Sequence, residues 1–282
     1  EFSKVIGPLT DPVSYGGRAE DAFHVVVPSI PGYGFSERPR QLGYRDRTPA
    51  IFAELMARLG YERYGAQGGD LGAGISRQLA VDDSEHVAGL HLNLCTAGPP
   101  DPSNPTAGVP AAEIALMRER AAFWTEEERG YSHIQGTKPQ TLGYSLNDSP
   151  AGLAAWIVEK YRSWCDCDGN PETKFSKDEL LTTITIYWVT QTATSAARYY
   201  YEGRHRESPP STERIEVPTA CAAFPGEFRF TPRRWLEARY NLARFTMMPS
   251  GGHFAASEEP ALYVDDVRAF FQDLRVGGRA TP

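Results

Sequence analysis

The sequence predicts an α/β fold, a mostly parallel sheet flanked by helices and interrupted by an inserted helical lid. Three observations carry this reading. From the start to about residue 96, short apolar runs alternate with helix-period segments, the order that builds right-handed crossovers between parallel strands. From about 97 to 212 strand alternation disappears and the texture is helical. Between 213 and 275 two apolar runs and an amphipathic helix complete the core, and residues 276–282 form a tail. At 282 residues the chain can bury one such domain with its insertion.

Each element has its own signal. Glu1 to Asp11 reads as the tail of a helix with Phe2, Val5, Ile6 and Leu9 on one face, and no start signal precedes it. His24-Val25-Val26-Val27-Pro28 reads as a buried strand, and Ser29 to Ser36 as a turn-rich loop. Thr48 can cap a helix with Pro49 in its first position and Gly60 past its end. Its apolar face would be Ile51, Phe52, Leu55, Met56 and Leu59. Tyr64 to Gln67 is the next strand, followed by a helix through Ile75 and Leu79, then a strand from Val87 to Leu94.

Gly98 to Pro110 is a Pro-rich loop. In the insertion, Ser149-Pro150 opens a helix that turns Leu153, Trp156, Ile157 and Tyr161 inward, and Leu180 to Tyr201 reads as one long aromatic helix. Strand patterns return at Val217–Phe224 and Phe245–Met248. The last helix starts near Pro260, packs Leu262, Val267, Phe270, Phe271 and Leu274, and leads into a polar tail expected to be disordered.

Bulk properties exclude several function classes. A net charge of −7 argues against a nucleic-acid binder, which needs a basic stripe. There is no apolar run of about 18 residues to cross a membrane. Cys95, Cys165, Cys167 and Cys221 form no C-x-x-C and no array with histidine, so reduced thiols in a cytoplasmic protein are expected, with no metal and no cofactor. No signal peptide or internal repeat is present.

The chemistry centres on Tyr64-Gly65-Ala66-Gln67-Gly68-Gly69-Asp70-Leu71-Gly72-Ala73-Gly74. Gly68 and Gly72 flank Asp70 with the spacing of a G-x-S-x-G nucleophile elbow whose serine is replaced by a carboxylate. The plain alternative is a Gly-rich turn with a helix-capping Asp. A carboxylate attacking an sp3 carbon forms an ester that water can cleave, whereas a serine would leave an inert ether. An Asp elbow therefore points to displacement at carbon followed by ester hydrolysis, as with epoxides or alkyl halides. The nucleophile needs a base and an orienter. His253, in Pro249-Ser250-Gly251-Gly252-His253-Phe254, follows a late strand and is the candidate base; a structural loop histidine is the alternative. Glu227, in Phe224-Pro225-Gly226-Glu227, follows the preceding strand and is the candidate acid, or else an ordinary solvated glutamate. Opening a ring leaves an alkoxide that needs a proton. Tyr131 and Tyr200 are candidate donors, although pattern does not separate Tyr200 from Tyr199 and Tyr201.

The chain resembles the microsomal-type epoxide hydrolases, enzymes of the α/β-hydrolase fold with an Asp nucleophile, from about residue 1 to 275. The resemblance rests on Ile6 to Pro12, Pro31-Gly32-Tyr33-Gly34-Phe35-Ser36, Gln67-Gly68-Gly69-Asp70, His133-Ile134-Gln135 with Thr137-Lys138-Pro139, Asn147-Asp148-Ser149-Pro150, and Gly251-Gly252-His253-Phe254-Ala255-Ala256 with Glu258-Glu259-Pro260. It implies Asp70 as nucleophile, Glu227 as acid, His253 as base, Tyr131 and Tyr200 as proton donors, and the Leu71 backbone N–H as an oxyanion donor. It also implies a small-molecule epoxide as substrate and a detoxifying role. Oligomeric state is left open, a homodimer included. Two departures stand out. Leu71 replaces the family's usual Trp, and the family's His-Gly-Trp-Pro oxyanion loop, with its strands and N-terminal segment, should precede Glu1. The chain is accordingly expected to be a fragment lacking about a hundred upstream residues, any membrane anchor among them, and to leave a sheet edge uncovered. A haloalkane dehalogenase or a non-catalytic homologue on the same fold are the competing readings. Trp156, Tyr187, Trp188 and Tyr199 hint at an aromatic or bulky apolar substrate, or else at core.

Overall fold

In the computed structural model, residues 1–206 and 211–277 are described. The elements run α1 (Ser3–Thr10), α2 (Tyr44–Arg58), β1 (Tyr64–Gly68), α3 (Asp70–Asp82), β2 (Val87–Leu92), α4 (Ala111–Phe123), α5 (Gly130–Thr137), α6 (Pro139–Asp148), α7 (Pro150–Trp164), α8 (Lys177–Thr190), α9 (Ala193–Arg204), β3 (Ile215–Ala223), α10 (Arg233–Arg239), β4 (Tyr240–Met247), α11 (Ala255–Glu258) and α12 (Pro260–Gly277). They fall into two compact units. One comprises Glu1–Val26, Pro49–Ala122 and the chain from Ser211; the other comprises Val27–Thr48 and the chain from Phe123 to Pro210.

In the first unit the four strands pair in the order β1-β2-β3-β4, all parallel. Gly68, Leu92, Cys221 and Phe245 lie in register across the sheet near its carboxyl edge. The loops after these strands therefore emerge side by side, which is where open α/β sheets carry their ligands. Val5 and Leu9 of α1 pack with Ala222, Phe224, Met248 and the α12 residues Tyr263, Val264 and Val267 in one buried cluster. The rings of α12 also lie directly on strand backbone. A Cβ at Gly65 would sit 2.3 Å from Phe271, and one at Gly89 2.6 Å from Leu274. Those two strand positions admit only glycine without moving the helix.

A buried polar node joins α12 to the sheet. Asp266 accepts hydrogen bonds from His91 Nε2 (3.0 Å), Arg244 Nε (2.7 Å) and Thr246 Oγ1 (2.7 Å). Burial alone would raise its pKa; the bond and charge of His91, with the Thr246 and Arg244 bonds, outweigh this and hold it at about 2 against an ordinary 3.8. A folded-state pKa below the unfolded one stabilises the fold at pH values above the unfolded pKa. That contribution is lost as pH falls from about 4 towards 2 and is worth about 2 kcal/mol. Denaturant titrations of wild type and Asp266→Asn should therefore show a stability gap that narrows over this window. A gap that stays constant from pH 6 to pH 2 would contradict the assignment.

In the second unit Leu142, Leu146, Leu153, Ile184 and Ala193 form the buried centre, with Trp156, Ile157, Tyr187 and Trp188 packed around it. Ser149 caps α7 by accepting the Gly152 N–H, with Pro150 in the first helical position, as the sequence indicates. Ser176 and Glu179 form a reciprocal capping box on α8.

Several expectations are corrected. His24–Pro28 forms no ladder, because β1 pairs only with β2 among the described residues and leaves this extended segment without a strand to bond. Helix α2 begins at Tyr44, one turn before Pro49. Its first amides are capped from far along the chain, Gly43 N–H and Arg45 N–H donating to the Glu202 carboxylate, while Thr48 Oγ1 donates to Tyr44 O inside the helix. On the apolar face expected of α2, Ile51 and Leu59 are exposed, as is Ile6 on that of α1. The stretch expected as one helix from Leu180 to Tyr201 breaks at Gln191, whose φ of 53° ends α8 before α9 begins. Cysteines expected as thiols are bonded, Cys95 to Cys221 and Cys165 to Cys167, because neighbouring strand ends and a tight loop bring each pair together. The argument from reduced thiols to a cytoplasmic location lapses with them.

The compact units divide close to the expected 212 but depart from the expected division at two other stretches. Residues 98–122 belong with the sheet, held by Trp235 Nε1 to Pro105 O, Arg233 N–H to Glu113 and Arg120 to Pro225 O. Val27–Thr48 belongs with the helices, held by Tyr44 to Ser195 O and Tyr33 to Ala196 O. Of the expected tail, residues 278–282 lie outside the described residues. Among the described residues no helix is long and apolar enough to cross a membrane.

Candidate active site

Asp70 opens α3 immediately after β1 and Gly69, with φ +40°, a left-handed conformation unusual for a side chain other than glycine. The turn is tight enough that a Cβ on Gly68 would lie 2.2 Å from the Gly72 carbonyl oxygen. The strain is held from both sides. Ser76 Oγ donates to Gln67 O, and Gln67 Nε2 donates to Asn93 Oδ1, whose carboxamide also lies against Gly69. The carboxylate stands at the amino end of α3, where the helix dipole and first-turn amides favour negative charge. It is 39% exposed, open enough to meet a substrate.

The loops after β3 and β4 bring Glu227 and His253 to the same edge. An isolated bridge pairs Gly226 with Gly252, and Gly226 N–H donates to Gly251 O at 2.9 Å. His253 Nδ1 lies 3.0 Å from both Glu227 carboxylate oxygens, so the ring donates there and keeps Nε2 for chemistry. Glu227 also accepts the Phe228 N–H at 2.8 Å. Nε2 lies 3.7 Å from Asp70 Oδ2, beyond a direct hydrogen bond yet within the reach of one intervening water. His253 is 6% and Glu227 4% exposed, with the Phe228 and Phe254 rings against the imidazole. Burial disfavours the imidazolium, but the Glu227 charge, the nearby Asp70 carboxylate and the Glu227 bond outweigh it, holding the His253 pKa well above 6.5.

Residues 17–136 match the family model of the alpha/beta hydrolase fold. The chain is 45% identical over 277 residues to a protein named putative epoxide hydrolase from Stigmatella aurantiaca, covering 98% of this chain and 62% of that one. It is 41% identical to Epoxide hydrolase 1 of Sus scrofa, covering 96% and 64%. The crystal structure of juvenile hormone epoxide hydrolase from the silkworm Bombyx mori superposes with a TM-score of 0.87 at 31% identity, covering 99% of this chain and 70% of that one. The chain belongs to the epoxide hydrolases of the α/β-hydrolase fold. It spans less than two thirds of the length of those two curated relatives.

Within this chain the tyrosines sort themselves by packing. Tyr199 is 2% exposed, with Tyr33 and Tyr44 against its ring and Arg45 over it. Tyr201 stacks on His205. Tyr200 faces Tyr131, ring centroids 5.7 Å apart and edge to face. Trp156, Tyr187, Trp188 and Tyr199, which hint in the sequence at an aromatic or bulky apolar substrate or else at core, pack as core. The first three surround the core of the helical unit and the fourth is sealed by aromatic neighbours.

Sequence reasoning missed the support around Tyr131. The buried Glu128 carboxylate accepts from Trp164 Nε1 and Lys160 Nζ, each at 2.7 Å, and the Trp164 ring packs edge-on to Tyr131. Lys160 and Trp164 sit four apart on α7 and so share a face, a signal available in the sequence. Their acidic partner lies 32 residues upstream of Lys160 and has no such signal. Glu258, beside the His253 loop, was missed as well. Leu71, the second residue of α3, carries one of the first-turn N–H groups that have no partner within their own helix.

Proposed function

We propose that this chain carries out epoxide hydrolysis through an ester on Asp70. The observation that carries the reading is the imidazole of His253, bonded at 3.0 Å to Glu227 on one side and aimed at Asp70 from 3.7 Å on the other. An Asp70 oxygen attacks one epoxide carbon, the ring C–O bond breaks, and Tyr131 or Tyr200 protonates the departing oxygen. Water then attacks the ester carbonyl while His253 takes its proton. The acyl C–O bond breaks, the imidazolium returns its proton to the leaving alkoxide to complete the vicinal diol, and the proton on the new carboxyl group passes through solvent to the tyrosinate. The Leu71 N–H donates to the oxyanion formed at the ester carbonyl.

The electrostatics give the two steps an order. In the resting site the carboxylates of Glu227 and Asp70 both favour the imidazolium of His253. Esterification removes the Asp70 charge. One support of the imidazolium disappears, and the His253 ring more readily takes the neutral form that can accept a proton from water. The relatives are named for epoxides, including the juvenile hormone epoxide of the silkworm enzyme. We assign the class, a small-molecule epoxide, and not one compound.

The test is a panel of aryl and alkyl epoxides, with matched alkyl halides, offered to the full-length protein. Diol from epoxides without halide release from the halides is the expected outcome. Halide release without diol would replace the reading with a dehalogenase, and binding without turnover would replace it with a non-catalytic homologue.

A further inference from the structure

Glu258 is a buried acid, 7% exposed, that the proposed mechanism leaves without a task. It closes the single turn of α11, five residues after His253. Its two oxygens take the backbone amides on either side of the histidine, Oε2 from Gly252 N–H and Oε1 from Phe254 N–H, each at 2.8 Å. In an extended chain two such amides share a side but stand about 6.6 Å apart, two rises of the strand and too far to meet the two oxygens of one carboxylate. Gathering both on one carboxylate therefore requires the backbone to curl around His253. Gly251 permits the curl, with φ +100° and no room for a Cβ, which would sit 2.8 Å from Phe224. The same loop is tied to the acid loop through Gly226 N–H to Gly251 O.

We infer that Glu258 is a positioning residue for the water-activating step, acting through the backbone of His253. The inference rests on the proposed function and deepens it. Glu227 fixes the far nitrogen of the ring. Anchoring residues 252 and 254 fixes the backbone from which the ring projects, and the two together set where Nε2 points. Ester formation needs only a charged Asp70 and a proton donor for the epoxide oxygen. Ester hydrolysis needs Nε2, a water and the ester carbonyl aligned, where a displacement of about 1 Å costs roughly a hundredfold. Loosening the loop should therefore separate the half-reactions.

The test is Glu258→Gln in the full-length protein. Glutamine keeps the volume and one acceptor oxygen but turns an NH2 donor towards the other amide. In single turnovers with excess enzyme, ester formation should stay within about twofold of wild type, and ester hydrolysis should slow by about 10- to 100-fold. A role in folding alone would reduce the amount of ester formed and leave the rate of its hydrolysis unchanged. The proton resonance of His253 Nδ1–H bonded to Glu227 gives a readout independent of turnover. It should be sharp in wild type and exchange-broadened in Glu258→Gln. Equal slowing of both half-reactions, an unchanged hydrolysis rate, or an unchanged resonance would overturn the inference. A wild-type protein that forms no ester would instead overturn the proposed function, and the resonance would then decide the role of Glu258 alone.

Discussion

Asp70→Ala in the full-length protein is expected to lower diol formation by about 10⁴- to 10⁶-fold, the range seen when a covalent nucleophile is removed from a concerted site. The size follows from the division of labour. Without the carboxylate there is no ester, and the only route left is direct attack by water, for which the site holds no dedicated geometry. His253 cannot compensate: without an ester, a water it activates has no acyl carbonyl to attack. The fold should survive. Alanine at φ +40° meets strain on the order of 1–2 kcal/mol, and the Gln67, Ser76 and Asn93 contacts that set the turn do not involve the Asp70 side chain. Steady-state assays paired with thermal melts check both halves. Retained turnover in a folded variant would dismiss the elbow as the seat of chemistry.

His253→Gln should produce a different failure. Asp70, the tyrosines and the Leu71 N–H remain, so the first half-reaction still runs. The second half-reaction loses its base, a contribution of about 10²- to 10⁴-fold. A rapid mix of variant and epoxide should give a burst approaching one ester per site and then a stall. The two variants are thus distinguished by more than degree, since one never accumulates an intermediate and the other accumulates little else. A variant that turns over slowly with no burst would mean that His253 acts before the ester forms.

How much of this was legible in the residues depends on what each feature needs. The elbow was legible because its geometry excludes side chains. Where a Cβ would lie 2.2 Å from a carbonyl oxygen, glycine must be written into the sequence, and Gly68 and Gly72 announce the turn. His253 and Glu227 were legible because they follow late strands in glycine-bearing loops, and the register of the sheet brings such loops together. The choice of Tyr200 over its neighbours was not. Three consecutive tyrosines differ only in direction around α9, and the packing of Tyr33 and Tyr44 on Tyr199 settles which of them is core.

Other features depend on distant partners. The cap on α2 comes from Glu202, 159 residues after Gly43. The Cys95–Cys221 bond spans 126 residues and joins the ends of neighbouring strands, a pairing no local spacing records. His24–Pro28 has the composition of a strand, but a strand exists only when another lies beside it, and composition cannot supply the neighbour. Glu258 lay within a motif quoted for family resemblance, yet its two amide bonds depend on the curl at Gly251.

The central claim is that the epoxide carbon becomes bonded to one particular carboxylate. Its most direct test is proteolysis and mass analysis of His253→Gln quenched during the stall. The account predicts a mass gain equal to the intact epoxide on the peptide containing Asp70, released as diol by mild base. An unmodified Asp70 peptide, or the adduct on any other residue, would contradict it.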